Sequence, residues 1–181
     1  MRLLRLGALC GLSVALVGLV IALPSSAFGD EGRRDFHAEF LGVNETPSVS
    51  TDATASLRLR INGSGNDATI SYTLKFSNLS AQVTQAHVHF GQSRVAGGVM
   101  FYLCTTSAVT TPVPAGTPTC PQSGTVTRTV AAADVVGPGG QGIAAAQMGR
   151  VVQAIRDGAA YGNVHSAMFT AGETRGQLRP Q

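Results

Sequence analysis

Two neighbouring stretches of the chain alternate between apolar and polar residues, and this alternation restricts the fold more than any other feature. Apolar residues occupy every second position of 53–61, and the pattern recurs in 68–76 after a linker of turn-forming residues, 62–67. A two-residue period is typical of a strand with one face in the core and the other in water. The two stretches therefore predict an antiparallel β-hairpin.

Further short segments have the composition of strands and are separated by Gly, Pro or Asn: 36–43, 83–90, 99–104, 125–130, 161–168 and 173–178. One segment differs, because apolar residues in 147–157 recur at spacings of three and four, and Gly158 follows as a stop signal. The pattern predicts a mainly β fold, an antiparallel sandwich or barrel with one short helix. The length of 181 residues suits one globular domain.

The first 27 residues have the three parts of an export signal. Arg2 and Arg5 form a basic start, an apolar stretch follows, and small residues precede a cleavage site after Ala27. We expect 1–27 to be a signal peptide, 28–35 a short N-terminal segment, and the protein to be secreted, periplasmic or at the cell surface. The alternative is an uncleaved anchor, because an apolar stretch of about 18 residues approaches the length of a membrane span. After cleavage no stable span is expected.

The charge balance argues against nucleic acid as a partner. Removal of the signal lowers the number of basic residues from 13 to 11, against 10 acidic residues. A polyanion-binding surface needs clustered positive charge, which a nearly neutral chain with scattered Arg residues does not supply.

Two cysteines remain after the predicted cleavage, Cys104 and Cys120. An exported protein meets an oxidising compartment, so a disulfide between them is the default expectation. The segment between them is rich in Pro and Thr, which excludes a regular helix or a central strand. The alternative is two free thiols that pack as ordinary core residues.

The histidines are the residues with metal-binding chemistry. In 83–90, Ala86 and Val88 alternate with His87 and His89, so both imidazoles are predicted to emerge on the outer face. Strand residues two apart are separated by about 6.6 Å at the backbone, and two rings on that spacing can converge on one copper or zinc ion. The alternative is that a His-x-His pair on a strand only makes hydrogen bonds.

A third ligand is needed to complete such a site. His165 shares one strand face with Tyr161 and Asn163, and it is the candidate. His37 is a weaker fourth candidate, since its strand lacks a clear alternation.

Glu173 and Arg175 share one side of the last strand-like segment. They are predicted either to orient the imidazole nitrogens, together with Asn163 and Tyr161, or to form a salt bridge at the rim worth about 0–1 kcal/mol. The chain lacks the sequence patterns of a serine-hydrolase elbow, a phosphate loop or a His-Glu-x-x-His metalloprotease. No catalytic residue is therefore predicted.

Four blocks of the chain together resemble the CHRD domain, a family named for its repeats in chordin and also found as single exported domains in bacteria. The blocks are 36–38 with Gly42, Asn44, Glu45 and Pro47, then 86–91, 160–165 and 172–177. The resemblance covers 36–178 and leaves a tail, 179–181. It implies an immunoglobulin-like β-sandwich with limited similarity to copper/zinc superoxide dismutases.

In those dismutases, a His-x-His pair on a strand holds copper together with two further histidines. The resemblance matches His87 and His89 to that pair and His165 to a third ligand, whereas the chain has no His-rich zinc loop. The favoured hypothesis is a noncatalytic exported module that binds an extracellular protein or a small ligand, or serves as a scaffold. The alternative is a mononuclear copper- or zinc-binding module, and the least favoured is a dismutase-like enzyme.

Overall fold

The computed structural model describes residues 32–181, so the predicted signal peptide lies outside the described residues. Within this range the chain forms nine β-strands, and one α-helix lies between β6 and β7. The elements are β1 (Asp35–Leu41), β2 (Thr54–Asn62), β3 (Thr69–Ser77), β4 (Val83–Phe90), β5 (Gly98–Thr105), β6 (Gly124–Val130), α1 (Met148–Arg156), β7 (Ala160–Ser166), β8 (Thr174–Gln177) and β9 (Arg179–Pro180). In 32–181 no helix has both the length and the apolar character needed to cross a bilayer.

The strands form one sheet in the order β5-β4-β7-β8-β1-β2-β3-β6, with β9 paired to β1. Neighbouring strands are antiparallel throughout. The sheet curls until its two edges approach each other, and the hydroxyl of Tyr72 in β3 donates to the carbonyl of Leu103 in β5. Of the two predicted forms, sandwich or barrel, the fold is therefore a nearly closed barrel.

The predicted hairpin is formed by β2 and β3. Its register places Leu57 opposite Leu74 and Arg58 opposite Thr73. Both leucines are fully buried, whereas Arg58 is exposed, so the alternation read from the sequence is the alternation between barrel interior and solvent.

The predicted helix is α1. Its apolar stripe of Met148, Val151, Val152 and Ile155 is buried in the same core as the inner faces of the strands. Gly158, with φ of 70°, follows the end of the helix in a left-handed conformation that a residue with a side chain rarely adopts.

The predicted disulfide is present between Cys104, near the end of β5, and Cys120. It closes the Pro- and Thr-rich segment 105–119, and both cysteines are buried against the core. The bridge fixes a long irregular connection that has little regular structure of its own.

Candidate metal centre

Strand β4 places its two histidines away from the apolar core. Ala86 and Val88 are fully buried in the core, and His87 and His89 lie on the opposite side of the strand. The predicted direction of the side chains is therefore correct. This outer face is covered in the fold, because His87 and His89 are only 3% and 8% exposed.

Neighbouring strands and a loop cover the two rings. Tyr102 of β5 packs edge-on against His87, with ring centroids 4.7 Å apart. Tyr161 of β7 stacks on His89 at 4.7 Å, and loop 91–97, which connects β4 to β5, places the Gly97 carbonyl 2.9 Å from His89 Nδ1. These contacts depend on the order of strands in the barrel, which the alternation in one strand does not reveal.

Strand β7 brings the third histidine to the same place. Val164 points into the core, and His165, 6% exposed, lies on the side of β4 that carries the other two rings. One nitrogen of each ring lies within 4.8 Å of the corresponding nitrogens of the other two. His37, in β1, is not part of this group.

Two of the three rings leave a buried nitrogen without a hydrogen-bond partner. His165 Nδ1 donates to the carbonyl of Thr170 over 2.9 Å, and His87 Nε2 lies 3.0 Å from Gln85 Oε1. The remaining nitrogens, His165 Nε2 and His87 Nδ1, are buried and unpaired. A buried polar atom without a partner costs about 1–3 kcal/mol, so each one needs an explanation.

The third ring, His89, has an oxygen beside each of its nitrogens. Nδ1 faces the Gly97 carbonyl at 2.9 Å, and Nε2 faces Asn163 Oδ1 at 3.0 Å. A backbone carbonyl only accepts, so the proton of a neutral ring is on Nδ1 and the lone pair is on Nε2. The free lone pairs of the cluster are therefore on His87 Nδ1, His89 Nε2 and His165 Nε2.

Burial keeps the three rings neutral. Loss of hydration lowers the pKa of His89 to about 4, and it lowers the pKa of His87 well below 6.5, assisted by the neighbouring rings of His165 and His89. Burial also lowers the pKa of His165. Neutral imidazole is the form that binds metal ions, and the hydrogen bond on the opposite nitrogen of each ring fixes its orientation.

Arg175 binds loop 91–97, which covers His89, through hydrogen bonds to the loop backbone. Its guanidinium lies 3.4 Å from the ring centroid of Tyr161, and its Nη2 donates to the carbonyls of Gln92 and Val95 over 2.9 and 2.8 Å. Tyr161 and Arg175 thus support the site through the ring of His89 and through loop 91–97.

Glu173 is held by hydroxyl and amide donors from other segments of the chain. Its carboxylate is fully buried, and Oε1 accepts hydrogen bonds from the hydroxyl of Thr51, at 2.7 Å, and from the backbone N–H and hydroxyl of Ser80, at 2.8 and 2.7 Å. Burial raises the pKa of Glu173, but hydrogen bonds from Ser166, Ser80 and Thr51 outweigh that effect and lower it overall. Glu173 therefore joins two loops and the end of β7, and its hydrogen bonds come from Thr51, Ser80 and Ser166, not from Arg175 or the histidines.

Two residues beside the cluster were missed by the sequence reasoning. Gln85 lies two positions before His87, so the same alternation that selected the histidines also places its amide on their face. Tyr102 carries no such signal, because its contact with His87 follows from the pairing of β4 with β5.

The donor set fits a small number of metals. Three imidazoles suit zinc or copper, with bonds of about 2.0–2.1 Å and nitrogens about 3.4 Å apart in a tetrahedral site. The observed nitrogens lie within 4.8 Å of one another, so a tetrahedral ion requires the three rings to move closer together.

Comparison with known proteins agrees with the four sequence blocks. A family model, the CHRD domain, matches residues 36–178. No curated protein and no solved structure matches the chain. Since the family match spans the barrel from β1 to β8 and covers most of the sequence, the chain belongs to the CHRD domain family.

Proposed function

We propose that the protein is an exported, noncatalytic module that binds one zinc or copper ion through His87, His89 and His165. The observation that carries the proposal is the buried imidazole cluster, in which one nitrogen of each ring lies within 4.8 Å of the other two. Two of the rings have a buried nitrogen with no hydrogen-bond partner. A bound cation would satisfy these lone pairs and offset the cost of burying them.

A hydrogen-bonded cluster without metal is the competing explanation. It accounts for Nδ1 of His165 and His89 and for Nε2 of His87, each of which has an oxygen within about 3 Å. It does not account for the unpaired nitrogens of His87 and His165. These two atoms favour the metal site over the hydrogen-bonded cluster.

The burial of the rings supports binding without catalysis. A catalytic metal site keeps an open coordination position that a substrate can reach. The three rings are exposed by 3%, 8% and 6%, and the adjacent cavity of about 250 Å³ is lined by residues such as Glu45, Met168 and Thr170, not by the histidines. A rigid barrel with a disulfide is suited to export and to presenting loops to an extracellular protein or a small ligand.

Metal analysis of the exported, oxidised protein tests the proposal. After incubation with zinc or copper and removal of the excess, we expect about one ion per chain. His87→Ala should abolish binding, and His37→Ala is the matched control that should retain it, because His37 lies outside the cluster. Wild-type protein that retains no ion, or equal binding by both variants, would contradict the proposal.

A further inference from the structure

Asn163 lies beside the histidine cluster, next to His87 and His89. It lies opposite His87 in the pairing of β4 with β7, and it is 2% exposed. Its Oδ1 is 3.0 Å from His89 Nε2, the nitrogen that bears the free lone pair. Three imidazoles and one oxygen complete the four ligands of a tetrahedral ion.

The contact between Asn163 and His89 joins two acceptors. His89 Nδ1 gives its proton to the Gly97 carbonyl, so in a neutral ring no proton lies between His89 Nε2 and Asn163 Oδ1. Two adjacent ligands of a zinc ion, with bonds of about 2.1 Å and angles of about 90–110°, are separated by about 3.0–3.4 Å. The observed 3.0 Å lies at the short end of that range, so a cation to one side of the line between the two atoms can bind both of them.

Glu45 explains the orientation of the amide. An added Cβ on Gly172 would lie 2.2 Å from Glu45 Oε1 and 2.9 Å from Asn163 Nδ2, so the two atoms lie within about 5 Å of each other beside a residue that has no side chain. Glu45 Oε1 is buried, and although burial raises the pKa of the Glu45 carboxyl overall, a side-chain interaction with Asn163 lowers that pKa. A carboxylate oxygen attracts the NH₂ end of the amide, which leaves Oδ1 facing the rings.

We propose that Asn163 binds the metal through Oδ1 and closes the site as a four-coordinate, structural centre. This inference rests on the proposed metal-binding function and deepens it, because a site with four protein ligands holds its ion without an open position for a substrate. Glu45 is a positioning residue that acts through the Asn163 amide. The ion would cross-link β4 to β7 in addition to the backbone hydrogen bonds between the two strands.

Cobalt(II), which reports its coordination through its visible absorption, tests the inference in the oxidised full-length protein. The wild-type cobalt spectrum should not change between about pH 6.5 and 9 or on addition of azide, because an amide ligand has no ionisable proton and leaves no open position. Asn163→Ala should bind cobalt about 10–100-fold more weakly, and its spectrum should respond to azide and to pH, because a metal-bound water ionises near pH 7. Asn163→Asp supplies a carboxylate in the same place and should restore a closed site.

The outcomes separate this inference from the proposed function. A wild-type cobalt complex that binds azide or titrates near pH 7, or an Asn163→Ala complex identical to wild type, would overturn the role of Asn163 and leave the three-histidine site standing. Wild-type protein that binds no cobalt would overturn both. Asn163→Asp keeps the test decisive if Asn163→Ala fails to fold.

Discussion

Burial of three neutral histidines makes the metal-free protein sensitive to acid. The unfolded chain takes up protons on these rings near pH 6.5, whereas in the folded state burial lowers the pKa of His87, His89 and His165, that of His89 to about 4. The unfolded state therefore binds more protons at mildly acidic pH, and stability falls as the pH falls.

We predict that the free energy of unfolding of the metal-free protein is constant above about pH 7 and decreases between about pH 6.5 and 4. The contribution of His89 alone is about 3 kcal/mol by pH 4, from its pKa of about 4 against an ordinary value of 6.5. Urea unfolding at a series of pH values measures it, and His89→Gln should reduce the slope. A stability that stays flat from pH 7 to 5 would show that the rings remain accessible to protons.

At the scale of elements, the disulfide is the main constraint on the longest irregular connection. Cys104 and Cys120 are 16 residues apart, and closure of a loop of this size stabilises the fold by about 3 kcal/mol in the chain-entropy model. We predict that the double substitution Cys104→Ala, Cys120→Ala lowers the free energy of unfolding by about that amount. Reducing agent should destabilise the wild type equally and leave the double variant unchanged; a wild type indifferent to reduction would contradict this role.

The elements themselves were predictable from local patterns, and the site was predictable only in part. Strands β2 and β3 and helix α1 follow the apolar spacing of their own residues, because each has one face in the core. The same rule gave the direction of His87 and His89. Their burial was not predictable, because it depends on β7 lying beside β4 and on loop 91–97 folding back over the rings.

At the scale of the whole molecule, Glu173 joins segments that are distant along the chain. Glu173 directly precedes β8. Its carboxylate accepts hydrogen bonds from Thr51, which precedes β2, and from Ser80, which lies between β3 and β4. Hydrogen bonds to a buried charged group are worth about 1.5–3 kcal/mol each, and their donors are left unsatisfied when the carboxylate is removed.

We predict that Glu173→Ala lowers the free energy of unfolding at pH 7 by about 3 kcal/mol or more. Glu39→Ala, which removes an exposed carboxylate from β1, is the matched control and should change stability by less than about 0.5 kcal/mol. Because the pKa of Glu173 is lowered in the folded state, its contribution is present above about pH 4.5 and is lost as the pH falls through the folded value. Chemical denaturation measures both variants. Equal losses in the free energy of unfolding would show that the hydrogen bonds of Glu173 do not stabilise the fold.

The disulfide and the proposed metal site connect residues at very different separations along the chain. Cys104 and Cys120 belong to one contiguous piece, whereas His87 and His165 come from strands with most of the second half of the domain between them. Because both cysteines precede β6 and β7 in the chain, the bridge can form before these strands are in place. The imidazole cluster forms only after β7 has paired with β4, so an ion held there would require two strands that are distant along the chain to be in place together.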